Sequence, residues 1–188
     1  MAAGDLTNLD NVKAWLGLSS DVTTSDSLLS ALITAASGFV TQYLGRDLKP
    51  ATYTEVHDGH GGRTLLLRQA PITAVQAVTF GGNSVAQAGD PITETGGFWF
   101  EDRRLSLIGH RFPERGLVVV NYTAGYETLP PSVVQAVNEL VGEAFRRRER
   151  IGQSSKSLGG QETVAFSTAD MNASVKSALA GFRSVAPI

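Results

Sequence analysis

Three histidines are the residues with the most chemical potential in this 188-residue chain. His57-Asp58-Gly59-His60 places two imidazoles and a carboxylate within four positions, and His110 is the third histidine. A closed metal site needs three or four converging ligands. The Asp-Gly step and the Gly61-Gly62 pair that follows are better suited to a hairpin turn, so a turn is expected there and no metal. Glu101, Asp102 and Glu114 offer carboxylates for paired acid and base work, but Arg103, Arg104 and Arg115 stand directly beside them, which reads as charged surface turns. No Gly-x-Ser-x-Gly elbow ties a serine to a histidine and an acid. No Gly-x-x-x-x-Gly-Lys-Ser/Thr loop or strand-to-helix Gly-x-Gly-x-x-Gly is present. Neither a catalytic site nor a cofactor is expected.

One charge run stands out, Arg146-Arg147-Arg148-Glu149-Arg150. Cations at a helix C-terminus complement its dipole, and Glu143 is placed to pair with Arg147 at i, i+4. Arg148 nevertheless falls on the side of Val137, Val141 and Phe145, so either the helix ends before it or its guanidinium reaches past the core to a partner.

The elements that must carry these residues follow from periodicity. Leu9, Val12 and Leu16 mark a short first helix stopped by Gly17. From Asp26, a candidate N-cap, to Leu44, the residues Leu28, Leu29, Leu32, Ile33, Ala36, Phe39, Val40, Tyr43 and Leu44 form one broad apolar face, with Gly45 placed to end the helix. The other face holds Ser30, Thr34, Ser37 and Thr41, and no charged residue occurs from Ser27 through Gly45. Two explanations remain open: burial on both sides within the chain's own fold, or burial against a neighbouring subunit.

Between Pro50 and Tyr126 the pattern changes to short β-branched and aromatic runs: Thr52-Val56, Arg63-Leu67, Ile72-Phe80, Phe98-Phe100, Leu105-Ile108 and Leu117-Tyr122. Gly81-Gly82-Asn83 and Glu101-Asp102-Arg103-Arg104 read as connections between neighbouring strands. Phe98-Trp99-Phe100 alternates faces, so at least one large ring must find cover in a second layer or on a partner. Pro130-Pro131 opens a second long helix, to about Arg150, striped by Val133, Val134, Val137, Leu140, Val141, Ala144 and Phe145. The stretch Gly152 to Gly160 has the composition of a mobile loop. Asp170 is placed to cap a last helix in which Met171, Val175, Leu179 and Phe182 share one face.

The fold class expected is therefore α+β, a helical core of two long and two short helices with an inserted antiparallel β sandwich or open barrel. The parts are an N-terminal helical segment, 1–49; the β insertion, 50–126; a long helix, 127–151; and a loop with a C-terminal helix or tail, 152–188. Sixteen basic and eighteen acidic residues give a formal net charge of −2, so no global field collects nucleic acid or acidic lipid. With no cysteine there is no disulfide framework or thiolate site. The first residues lack a basic, apolar leader, and no membrane span is expected.

In order and spacing, Leu9–Leu18, Ser27–Arg46, Thr54–Val75, Val118–Tyr126 and Leu129–Gly152 resemble the head-tail connector, or adaptor, proteins of long-tailed bacteriophages, in the version with a β insertion between two helices. The resemblance implies a structural protein of the virion neck, assembled in the host cytoplasm, with no catalysis. It also implies a twelve-subunit ring, with the portal protein above and a tail or neck protein (stopper or tail terminator) below, and the genome's DNA passing through the channel. Ser30, Thr34, Ser37 and Thr41 become candidates for the subunit interface. Arg146, Arg147, Arg148 and Arg150 become candidates for a partner or for non-specific contact with that DNA. In the family the C-terminal segment reaches the portal, which makes Met171, Val175, Leu179 and Phe182 candidates for that contact. The alternatives are another neck or tail-completion protein, or a small-molecule-binding module betrayed by a deep apolar pocket.

Overall fold

The computed structural model describes residues 4–154 and 171–183, with the backbone alone for 148–154. Within these residues the chain forms two compact units: 4–46 with 128–154 and 171–183, and Asp47–Glu127.

The first unit is helical: α1 (Leu9–Leu16), α2 (Asp26–Leu44), α3 (Pro131–Ser154) and α4 (Ala173–Ala180). Each end has a local cause. Asn8 caps α1, its side chain accepting from the Asn11 N–H at 2.8 Å. Gly17 and Gly45 close α1 and α2 in the left-handed conformation, φ +72° and +68°, which a side chain would disfavour. Asp26, expected as an N-cap, is instead the first helical residue, and Ser25 holds the cap position without a side-chain bond. The Asp26 carboxylate goes to Lys13 instead, at 2.6 Å. At α4 the cap is Asn172, which accepts from the Val175 N–H at 2.8 Å; Asp170 lies outside the described residues.

The α2 and α3 stripes pack together, with α1 and α4 against α3. Leu29, Leu32, Ile33, Ala36, Val40 and Leu44 meet Val133, Ala136, Val137, Leu140 and Val141, all essentially inaccessible to water. By length and composition α2 is apolar enough to cross a bilayer, but this stripe is committed to the unit's core.

The second unit is all β: β1 (Ala51–Asp58), β2 (Thr64–Leu66), β3 (Ile72–Phe80), β4 (Asn83–Val85), β5 (Gly97–Glu101), β6 (Arg104–Ile108) and β7 (Leu117–Ala124). They make an antiparallel four-stranded sheet, order β1-β7-β3-β4, and an antiparallel three-stranded sheet, order β2-β6-β5. Beyond β4, Gln87 bridges in parallel to Phe98 of β5, and the Ala88 N–H donates to the Phe98 carbonyl, so the chain steps from one sheet to the other along their edges. The core between them includes Leu65, Leu67, Val75, Val78, Phe98, Leu105, Phe112, Val118, Val120 and Tyr122.

Three further expectations need correction. The second long helix runs to Ser154, past Arg150 and into the stretch expected as a mobile loop, whose residues 155–160 lie outside the described residues. Asn83 is not merely part of a connection but opens β4, because Gly81 and Gly82, both at positive φ, turn the chain tightly enough for Asn83 to pair back onto Phe80. The His57 to Gly62 stretch is not a hairpin between paired strands. β1 runs through Asp58 and β2 starts at Thr64 in the other sheet, so residues 59–63 are the crossing between the two sheets.

Candidate interaction surfaces

The histidines diverge. His57 Nε2 lies 2.9 Å from Glu55 Oε2. His60 stacks on Phe112, with ring centroids 6.4 Å apart. His110 sits on an exposed loop after β6. Among the described residues no group of three histidines and carboxylates gathers to hold a metal ion. Glu101, Asp102 and Glu114 are exposed and lie in or beside turns, with Asp102 at φ +49° between β5 and β6. Of the aromatic run, Phe98 is buried and Phe100 packs on the same core, while Trp99 points to the opposite face and is half-buried.

The uncharged face of α2 is divided in use. Ser37 is 1% exposed, and its Oγ accepts from the Leu6 N–H at 2.9 Å. Thr34 Oγ1 donates to Asp5 Oδ1 at 2.9 Å, and Thr7 Oγ1 donates to Asn138 Oδ1 of α3 at 2.7 Å. The chain's own N-terminal residues thus cover one side of this face. Ser30 and Thr34 stay exposed and Thr41 is half-buried, so a strip along α2 remains open.

The charged and C-terminal candidates separate in the same way. Arg146 and Arg147 are exposed near the C-terminal part of α3, with Arg147 Nη2 3.6 Å from Glu143 Oε2. Arg148 and Arg150 have helical backbone, and their side chains lie outside the described residues. Met171, Val175 and Leu179, at 3%, 2% and 0% exposure, are buried in the helical unit, where α4 packs on α3. Their face serves the chain's own core and offers a partner no surface in this conformation. Phe182 is half-buried at the unit's edge.

The periodicity did not reveal a polar cluster inside the β unit. Glu55 is 8% exposed and points into the unit from the edge strand β1. It accepts from the Tyr122 hydroxyl and from the Arg68 N–H, at 3.1 Å to Oε1. The Tyr122 oxygen in turn accepts from the Gln69 N–H at 3.1 Å. Two backbone donors just after β2 are therefore satisfied by side chains from β1 and β7, which fastens the smaller sheet to the larger. Burial and the Glu55 bond push the Tyr122 hydroxyl well above the ordinary tyrosine range. Burial and the nearby Asp47 raise Tyr53 as well. On an exposed turn Asp90 shifts the other way, lowered by the Ile92 N–H and the Thr93 hydroxyl. The signal that could have found the cluster is Glu55 itself, a carboxylate at an inward position of an alternating strand.

Among the described residues, uncharged faces on α2 are the distinctive surface feature. The family model for head completion proteins matches residues 5–185, and the chain belongs to that family. Its role is structural, that of a head-tail connector. No curated protein matches the chain. Among solved structures it is similar to a chain from the neck of an empty GTA particle computed with C6 symmetry, at 18% identity and a TM-score of 0.53, covering 100% of this chain and 98% of that one. It is also similar to a chain from the virion of a native gene transfer agent (GTA) particle, at 17% identity and a TM-score of 0.49, covering 98% and 96%. The first likeness concerns the fold, over both units.

Proposed function

We propose that this chain is one subunit of a ring in the particle neck, held between the portal and a tail or neck protein, and that it works by assembly and not by catalysis. The observation that carries this reading is the head completion family match, which runs through both units from residue 5 to 185. A ring needs two different complementary faces on each subunit, whereas an isologous dimer pairs one patch with itself. The open strip on α2, with exposed Ser30 and Thr34, supplies one candidate face, and Thr41 borders it. Twelve copies are compatible with the six-fold symmetry applied to the similar neck, as two copies per repeat.

Closing such a ring repeats Arg146 and Arg147 around the axis. A belt of positive charge then arises even though each subunit is slightly acidic. We assign the belt to an acidic protein partner in preference to DNA, since a channel that held phosphates tightly would impede the genome's passage. The test is electron cryo-microscopy of particles made with and without this chain. Particles lacking it are expected to lose the ring density below the portal and to carry no tail. Complete necks in its absence would overturn the proposal.

A further inference from the structure

The four-stranded sheet has an outer face that its own unit does not cover. Val118, Val120 and Tyr122 of β7 point to the core, so the alternate residues point away from it. The strand register aligns those outward positions in rows. Val56, Val119, Thr79 and Ser84 form one row across all four strands, and Thr54, Asn121 and Ala77 form the next. At the corner Asp58 stands opposite Leu117. Of these positions Asp58 alone is charged, while Val56 and Leu117 are 52% and 59% exposed. Three of its polar side chains are already bonded: Thr54 Oγ1 donates to Asn121 Oδ1 at 2.7 Å, and Thr79 Oγ1 to the Val119 carbonyl at 3.4 Å. Such a face can be covered at small desolvation cost, and apart from Asp58 at its corner it lacks the charges that a solvated sheet face normally carries.

We propose that this sheet face is the contact that each ring subunit offers to the next, and that its occupant is a second copy of this chain presenting the open strip of α2. The inference rests on the ring reading above. Charge complementarity identifies the occupant. A charged partner would bury its charges against a surface with almost nothing to pair them, which is costly. The chain itself possesses a matching surface: Ser27, Ser30, Ala31, Thr34, Gly38 and Gln42 are exposed along α2, and none is charged. Sheet face and helix strip differ, so the contact runs head to tail and can repeat around an axis, as a closed ring requires. A helix laid on a sheet is also the ordinary way for a one-sided sheet to be covered.

The chain has no cysteine, so introduced thiols report without background. Val56→Cys and Ser30→Cys, both at exposed positions, are placed in one chain and separately, and purified particles are treated with a short thiol-to-thiol cross-linker. The double variant is expected to give a ladder of dimers, trimers and larger species on a denaturing gel, and each single variant only monomer. Dimers from Val56→Cys alone would mean sheet against sheet and would overturn the head-to-tail contact. Monomer from the double variant, in particles whose necks contain the chain, would overturn the assignment of the face and leave the connector role standing. Necks without the chain would refute both. In an independent arm, Val56→Glu with Thr54→Glu should leave the melting curve of the purified chain in place and lower its incorporation into particles by at least about tenfold. Normal incorporation would count against the proposal.

Discussion

Removing one oxygen from the β unit should cost far more than its size suggests. In Tyr122→Phe the ring remains to fill the core, but two bonds are lost together: the hydroxyl's donation to Glu55 and its acceptance of the Gln69 N–H. A hydrogen bond to a charged group is worth about 1.5–3 kcal/mol, and a buried donor left without a partner costs about 1–3 kcal/mol. The two losses do not add fully, because Glu55 keeps the Arg68 N–H and His57. About 3 kcal/mol is therefore expected. With a urea slope of about 2 kcal/mol per molar, the unfolding midpoint moves down by about 1.5 M. The assay is urea titration followed by far-ultraviolet circular dichroism and by tryptophan fluorescence, which for Trp99 reports the β unit. A double-mutant cycle with Glu55→Gln should give a coupling of at least about 1 kcal/mol. A midpoint shift below about 0.3 M, or additive effects in the cycle, would show that this cluster does not hold the two sheets together.

The same tyrosines predict an alkaline limit. Their folded values lie above the unfolded one, near pH 10, so the stability linked to them is complete below that pH and is lost as pH rises beyond it. In urea titrations between pH 9 and 12, taken as approximate bounds around that value, Tyr122→Phe should therefore show a shallower decline than the parent, and an equal slope would refute the assignment. In the helical unit Lys13 is nearly buried, tied to Asp26 at 2.6 Å and to the Ser20 carbonyl at 3.1 Å, so Asp26→Ala strands a buried cation. It should cost about 2–3 kcal/mol, at the low end for a broken buried pair because Asp26 keeps some access to water, and more than Lys13→Met; thermal melts giving the reverse order would refute this. Arg146→Gln with Arg147→Gln removes exposed charges and one i, i+4 pair, so stability should change by less than about 0.5 kcal/mol. Binding to purified portal should weaken most at low salt while genome retention is unchanged, and normal binding at every salt concentration would leave the arginines as a solvated stretch of α3 only.

The sequence made the helices legible because their ends and stripes are local facts. Leu9 to Leu16 and Asp26 to Leu44 are bounded by glycines whose positive φ is a property of the residue type, and α3 begins at Pro131, where the missing N–H costs nothing. The long strands were legible for the same reason. The short strand β4 was not, since three residues, Asn-Ser-Val, carry no period, and their pairing depends on the turn at Gly81-Gly82 and on β3 being already in place. The crossing over residues 59–63 resembles a hairpin in sequence because Asp-Gly and Gly-Gly signal a tight change of direction without naming the strand that follows.

The surfaces were legible only by what they lacked. The absence of charge from Ser27 to Gly45 marks α2 as covered, but it cannot tell whether cover comes from the same chain or from another. The structure answers for one part of the helix: Ser37 is bonded to the chain's own Leu6, while Ser30 stays exposed. The face at Val56 and Thr54 escaped notice because valine and threonine are what any strand prefers, and only the register sets them beside Val119 and Asn121 as one uncharged plane. Buried α4 teaches the converse lesson. Met171, Val175 and Leu179 lie on one helical face, and such a stripe looks the same in sequence whether it awaits a partner or already packs on α3. An apolar stripe in such a subunit is thus poor evidence of a contact surface, because the stripe is what the isolated subunit needs in order to fold.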